Sequence, residues 1–412
     1  MTAVYIAGIA MTVFGRHLDR PLDDLAREAL QGALKDAGCE AGDLGAAFYA
    51  GVTNGPLQGQ ISIPGQVVMS KLGLEGIPMY NVENGCASGS SAFNLALQCL
   101  KAGTTDVALA LGAEKMNVPD KLKALSLFDA GWDVSRADQN YQRLIGMGEG
   151  VDVPPGSESD KPYSKFMQIY AALCRHHMKT HGTTQRQIAA VSAKNHAHSV
   201  HNPFSQYRKA LTIDEVLAAP PITYPLTLPM CAPLTDGAAA AIVCTESGLT
   251  RLGLDRSRCI KVAASVIRSF SNRSLDQPER NLAHLAALQA YDMAGLGPQD
   301  MHVAEVHDAS AMGEIIQAEN LCLVPLGEGG PAAERGDFTL GGRMPINPSG
   351  GLESKGHPLG ATGIAQLFEL VTQLRGEAGA RQVVGARNAI QENGGGMQGV
   401  EEAVAAIHIL TH

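Results

Sequence analysis

The sequence predicts an α/β layered fold. Three observations carry that expectation. Short apolar stretches of strand character alternate with helical stretches, glycine-rich turns lead straight into two apolar helices, and those two helix starts echo each other across the chain. With 412 residues, the chain is long enough for a large core and more than one domain.

Taken in order, residues 4–11 read as a first strand, with no basic start or cleavage site of a signal peptide. Residues 22–38 are an amphipathic helix, with Leu22, Leu25, Ala29, Leu30, Ala33 and Leu34 at helical spacing. A buried strand at 46–51, a short helix at 64–72 and a strand at 78–82 lead to the turn Asn84-Gly85-Cys86-Ala87-Ser88-Gly89. An apolar helix follows it, and 106–114 is another apolar strand. Residues 115 to about 226 are more polar, hold the densest group of histidines, six of 13, and read as an insertion with helices at 163–181 and 185–200. Strand character returns over 231–244, 259–269, 303–307 and 404–410, with helices at 311–321 and 360–374.

Composition excludes several classes. Hydrophobic residues are 45% of the chain, yet no apolar run reaches the roughly 18 residues of a spanning helix. A net charge of −9 without basic clusters argues against nucleic acid as a main partner. The 8 cysteines lie far apart with no CxxC pair, which points to a reducing, cytoplasmic setting and no metal site.

Chemistry concentrates in two stretches. Cys86 stands at a helix start, where unspent N–H groups and the helix dipole favour a thiolate, and its small neighbours leave room for a substrate. Alone, the stretch fits a nucleophile or a buried structural cysteine. The other is Asn347-Pro-Ser-Gly-Gly-Leu-Glu-Ser-Lys-Gly-His357-Pro-Leu-Gly-Ala-Thr-Gly363, which brings a histidine into a glycine-rich loop at a second helix start. Such a histidine takes a thiol proton, or is an exposed loop residue. A duplicated fold would set the two helices back to back and bring Cys86 and His357 together.

These motifs, NPSGG…KGHPLGATG with ENGCASGS and CAPLTDGAAAAIV, resemble the thiolase superfamily over nearly the whole chain. KNHAHSVHNPFSQY followed by EVLAAP is similar to its sterol-carrier-protein type. The resemblance implies a five-layered αβαβα fold of two similar halves, with an inserted loop domain over an acyl-CoA pocket. The corresponding boundaries are 1–118 for the N-terminal half, 119–228 for the loop domain, 229–252 for the return to the first half, and 253–412 for the C-terminal half. It also implies a homodimer or homotetramer, coenzyme A as substrate or product, and no permanently bound cofactor. Cys86 then becomes acylated and His357 activates it.

Two further motifs depart from the family pattern. The sterol-carrier type has His-Asp-Cys-Phe where this chain has His307-Asp308-Ala309-Ser310. His307 matches the residue that holds a water or donates to the thioester oxygen. The C-terminal turn, Cys-Ile-Gly-Gly-Gly-Met-Gly in the family, is here Glu392-Asn393-Gly394-Gly395-Gly396-Met397-Gln398. Neither position offers a cysteine to move the α-carbon proton, so Glu392, Asp308 and His307 are the substitutes. Gly395 and Gly396 either turn backbone N–H groups toward the thioester oxygen or form a plain tight turn.

The expected function is therefore a thiolase-like acyl-CoA enzyme making or breaking a C–C bond through acyl-Cys86. The alternatives are an acyltransferase or retro-aldolase working with a zinc-ribbon/OB-fold partner, as in some relatives that degrade aromatic compounds, or a non-catalytic acyl-CoA or lipid binder. His176, His177, His181, His196, His198 and His201 are expected on solvated helix faces, with Lys194 and Arg208 as weak candidates for CoA phosphates.

Overall fold

A computed structural model of the protein describes residues 2–412. The first strand, β1 (Val4–Met11), is buried along almost its whole length. It leads to α1 (Leu22–Ala37), β2 (Ala46–Ala50), α2 (Asn54–Gln58), α3 (Pro64–Lys71), β3 (Met79–Val82), α4 (Ser88–Lys101) and β4 (Val107–Glu114). In α1 the leucines and alanines at helical spacing form the buried face, Asp23 and Asp24 occupy the first turn where the dipole favours acids, and Gly38 closes the helix in the left-handed region.

The polar stretch after β4 folds as α5 (Lys121–Ser126), α6 (Ala137–Gly146), α7 (Lys165–His181), α8 (Gln185–Ser199), α9 (Ile213–Leu217) and a small hairpin, β5 (Pro221–Thr223) with β6 (Leu226–Thr227). The chain then returns through β7 (Gly237–Thr245), α10 (Glu246–Leu252), β8 (Ile260–Ser269), α11 (Leu282–Ala294) and β9 (Val303–Glu305). It ends with α12 (Ala311–Asn320), α13 (Gly329–Arg335), α14 (Gly351–Lys355), α15 (Leu359–Leu374), β10 (Asn388–Gly395) and β11 (Val404–Thr411).

Nine strands form one sheet in the order β3-β2-β4-β7-β1-β8-β11-β10-β9. The two halves meet at the β1–β8 junction, through Tyr5 opposite Lys261 and Ile6 opposite Ile260. Outward from that junction, β1-β7-β4-β2 and β8-β11-β10-β9 repeat the same pattern of antiparallel, antiparallel and parallel pairs. The internal echo in the sequence is thus a duplication of topology. Helix α1 packs on β1 and β7, α11 packs on β8 and β11, and α4 and α15 pack on the strands and on each other. Those two central helices touch backbone to backbone. A Cβ on Gly89 would stand 2.6 Å from the Gly360 carbonyl oxygen, and one on Gly363 would stand 2.6 Å from the Ser90 nitrogen. This close approach is why both helices begin with glycine and small residues.

Several short elements, among them α5, α6, α10, α13 and α14, have no counterpart in the sequence reading, and two larger differences bear on the site. Residues 282–294 carried no assignment and form α11, whose start is capped by the Asn281 side chain accepting from the Ala283 and His284 N–H groups. Glu392 to Gly395, read as part of a turn, belong to β10 and pair with β11. That strand is polar yet buried, and its side chains are only partly satisfied: Gln391 Nε2 donates to the Gly363 carbonyl (2.8 Å) and Asn393 Oδ1 accepts from Ser90 Oγ (2.9 Å), while Gln391 Oε1, Glu392 Oε1 and Asn393 Nδ2 have no partner among the described residues. No helix among the described residues is long and apolar enough to cross a membrane.

Candidate active site

Cys86 sits in the turn just before α4. The turn is closed by Ala87 N–H donating to Asn84 O (3.1 Å) and Ser88 N–H donating to Gly85 O (3.1 Å), with Gly85 at a φ of 57°. The end of β10 presses on this turn: any Cβ on Gly395 would run into the Asn84 carbonyl oxygen. Among the described residues, the N–H groups of Cys86 and Gly396 donate to no other atom. Both residues line one cavity of about 530 Å³. Two unspent donors beside a half-buried sulfur are the raw material of an oxyanion site.

His357 reaches the sulfur from the other half of the fold. Its Nε2 lies 3.3 Å from Cys86 Sγ, and its Nδ1 lies 2.7 Å from Thr362 Oγ1 in the first turn of α15. The Thr362 hydroxyl donates its one proton to the Pro358 carbonyl (3.0 Å). It therefore accepts from His357, which puts the ring proton on Nδ1 and leaves Nε2 bare toward the thiol. Burial, the neighbouring His307 and Lys355 all hold His357 well below the usual histidine range. The ring is a neutral base before any substrate arrives.

His307 follows β9 and stands edge-on to His357, with ring centroids 5.2 Å apart. Cys86, His307 and His357 each offer an atom within 4.8 Å of the others. Among the described residues, neither ring nitrogen of His307 has a hydrogen-bond partner, and Nδ1 is 3.5 Å from Glu402 Oε1. Burial works against a charge on this ring, but Cys86 and Glu402 outweigh it and hold His307 well above the ordinary range. Two imidazoles this close share at most one proton, and these surroundings assign it to His307.

Comparison with known proteins agrees with this geometry. The family described as "Thiolase, N-terminal domain" matches residues 4–215, and "Thiolase C-terminal domain-like" matches residues 267–410. The chain belongs to the thiolase superfamily. Sterol carrier protein 2 of Rattus norvegicus is 37% identical over 95% of this chain and 69% of its own length. The acetyl-CoA acetyltransferase of Methanothermobacter thermautotrophicus is 36% identical over the full length of both chains. The benzoylsuccinyl-CoA thiolase subunit BbsB of Thauera aromatica is 33% identical over 92% of this chain and 91% of its own. Among solved structures, the Ltp2–ChsH2(DUF35) aldolase superposes with a TM-score of 0.78 at 21% identity, covering 99% of this chain and 97% of that one. Human mitochondrial 3-ketoacyl-CoA thiolase in complex with CoA gives 0.71 at 16% identity, over 100% and 98% of the two chains. The chain is accordingly a thiolase-type acyltransferase of the sterol-carrier kind, with the mixed α/β thiolase fold.

The substitutes for the missing thiolase cysteines are placed unequally. Ala309 lines the cavity but offers no titratable group. Glu392 is fully buried and is not part of the cavity wall; its Oε2 accepts the His307 backbone N–H at 2.9 Å, so it stands behind His307. Asp308 is also sealed, accepting from Leu352 N–H (2.8 Å) and Asn195 Nδ2 (3.0 Å). The carboxyl groups that do reach the cavity are Glu402 and Glu353, and neither was singled out by sequence reasoning. Both sit in stretches that look like ordinary charged surface, Glu401-Glu402 and Leu352-Glu353-Ser354-Lys355.

The insertion histidines are not uniformly solvated. His177, His196 and His198 are buried, whereas His181 and His201 are exposed and His176 is half-buried. His177 bridges Thr183 Oγ1 (2.7 Å) and Glu319 Oε2 (3.1 Å), and His198 bridges the Asn347 carbonyl (3.0 Å) and the Leu340 N–H (3.1 Å). They bind the insertion to the C-terminal half, a task that a helix in isolation does not reveal. Lys194 is likewise buried, 2.8 Å from Glu314, and so is out of reach of CoA phosphates. Arg208 remains exposed, and Lys209 beside it is exposed and reaches the cavity wall.

Proposed function

We propose that this thiolase relative forms or cleaves a C–C bond next to a CoA thioester through an acyl-Cys86 intermediate. The 3.3 Å contact between Cys86 Sγ and His357 Nε2 carries the proposal, because it joins a nucleophile and a correctly tautomerised base. In the cleaving direction, His357 takes the thiol proton and the thiolate attacks the 3-oxo carbon. The tetrahedral oxyanion sits against His307 and the N–H groups of Cys86 and Gly396. The C–C bond then breaks, and free CoA collects the acyl group from the sulfur. Gly395 serves by letting the strand end close on the turn, and Glu392 by fixing the His307 backbone.

Coenzyme A enters as substrate and leaves as product, along the wall that carries Tyr207, Lys209 and Leu211. Exposed Lys209 is the cation best placed for its phosphates. The cavity volume and the likeness to a benzoylsuccinyl-CoA thiolase subunit support a bulky, aryl-bearing 3-oxoacyl group. A second copy pairs along β3, one of the two edge strands of the sheet, where Tyr80 is exposed; this gives the homodimer and leaves a homotetramer as its doubling.

A second reading keeps the fold and the sulfur but assigns retro-aldol cleavage or acyl transfer with a zinc-ribbon/OB-fold partner. Ala309 in place of a cysteine and the likeness to an aldolase solved with a DUF35 chain favour it. Incubation with an acyl-CoA followed by intact-mass measurement tests the common part. An acyl adduct on the wild type that is absent from Cys86→Ala supports both readings. No adduct at all leaves only an acyl-CoA or lipid binder. Thiolysis of a 3-oxoacyl-CoA by the purified chain alone then decides between the two readings.

A further inference from the structure

We infer that Glu402 carries the proton at the α-carbon, the task left open where this chain lacks both cysteines. The inference rests on the acyl-Cys86 reading and deepens it.

The position of the carboxyl group is the first observation. Glu402 lines the cavity of Cys86 and also a second one of about 390 Å³, on the far side of a wall made with Tyr170, His307 and Met397. Among the side chains of that shared wall, it is the carboxylic acid. Its side chain is 16% exposed, so it faces the reaction space on one side and communicates with solvent through the second cavity. A group that must give up a proton and regain it once per turnover needs both.

The second observation is what Glu402 does not do. Its neighbour Glu401 is spent on structure: it receives the Ser271 N–H (2.6 Å), the Arg273 guanidinium (2.9 Å) and the Leu282 N–H (3.1 Å). Glu402 accepts only the Gln317 amide, at 3.1 and 3.3 Å, and has His307 Nδ1 at 3.5 Å. No lysine or arginine among the described residues pairs with it. The space it occupies exists because residue 394 is glycine; any Cβ there would run into the Glu402 carboxyl group. The Tyr170 hydroxyl is pushed well up, by burial first and then by the Glu402 carboxyl group that faces the same ring.

The step balances without a further reagent. Thiolate attack on the 3-oxo carbon gives the tetrahedral oxyanion. As its carbonyl re-forms, the C2–C3 pair moves onto C2, and the proton held between His307 Nδ1 and Glu402 passes through the Glu402 carboxyl group to C2, releasing the shorter acyl-CoA and leaving a neutral His307 beside the carboxylate. In the reverse direction that carboxylate removes the α-proton of the acyl-CoA nucleophile. General acid–base catalysis of this kind is worth roughly a hundredfold to ten-thousandfold in rate.

The test uses the full chain with acetyl-CoA in D₂O. Wild-type enzyme should acylate Cys86 and exchange the α-protons of acetyl-CoA. Glu402→Gln should still form the adduct and exchange free CoA into acetyl-CoA, slowed by no more than about tenfold through the charge it withdraws from His307, while α-exchange falls at least about a hundredfold. Added formate should restore α-exchange to Glu402→Ala. The inference is overturned if Glu402→Gln exchanges α-protons normally, or if the wild type acylates but exchanges none. It is also overturned if acylation falls as far as α-exchange does, since Glu402 would then act through the charge on His307 alone. Wild type that forms no adduct sinks the acyl-cysteine reading instead.

Discussion

Two imidazoles flank one sulfur, and they are built for different work. His357 hands its Nδ1 proton to a neutral hydroxyl and so keeps Nε2 bare. His307 has no hydrogen-bond partner among the described residues and faces Cys86 and the Glu402 carboxyl group, so it is the ring that holds a charge. The contrast shows how a site with one proton too few for two bases sorts them: a hydroxyl keeps one ring neutral, and a carboxylate keeps the other cationic. The first ring starts the chemistry by removing a proton. The second receives the oxygen on which negative charge builds.

Substitutions can break this division. His357→Ala should cost the most, roughly a hundredfold to ten-thousandfold in the rate of Cys86 acylation, because the proton acceptor is gone. His307→Ala should cost roughly a hundredfold to a thousandfold, and it should slow both acylation and the transfer to CoA, since both pass through an oxyanion. Rapid-quench measurement of the two half-reactions separates these outcomes; variants with identical defects in both halves would refute the division. Thr362→Val should cost less, from a few-fold to about tenfold, since it removes one neutral hydrogen bond and frees the tautomer. The pH profile gives the sign. With His357 held well below its usual range, it stays unprotonated as pH falls through 6.5, so the acid limb of kcat/KM should lie below that value. An acid limb at or above it would show that the ring is not the depressed base described.

Legibility in the sequence follows the same contrast. Cys86 and His357 could be read because each sits in a contiguous run of glycine and small residues at a helix start, and because the helices they open must touch. His307 was readable only through a family motif, and its charged partner was not readable at all. Glu402 lies ninety-five positions along the chain from His307 and looks like half of an exposed Glu-Glu pair; only the pairing of β10 with β11 brings it to the ring. The insertion misled for a related reason. The histidines and Lys194 of α7 and α8 look solvated on helices taken alone, but α8 packs on α12, α13 and α14, so one polar face is interior. A buried polar face with satisfied partners cannot be told from a wet one until the partner helix is known. The polar end of β10, Glu392 to Gly395, reads as a turn on the same grounds.

The last and smallest effect sharpens the comparison by asking which cavity acids are structural. Glu353 also lines the cavity, but it belongs to a knot in which Asn195 Nδ2 donates to it (3.0 Å), to Asp308 (3.0 Å) and to Glu314 (3.2 Å). Burial first, then the neighbouring Glu314, pushes its carboxyl up to about 8. Its ordinary value in the unfolded chain is 4.5. A group whose folded value is raised contributes its full stability below the unfolded value and loses it as pH rises toward the folded one. Wild-type stability should therefore decline between about pH 4.5 and about pH 8 as this acid comes under pressure to ionise. Glu353→Gln keeps the amide–carboxyl geometry but cannot ionise, so its melting temperature should vary less across that window. Acylation and α-proton exchange should stay close to wild type, in contrast to Glu402→Gln. Thermal melts across the window, paired with the two exchange assays, check this. A Glu353→Gln variant that loses α-exchange would move the proton carrier to the other side of the cavity, away from His307.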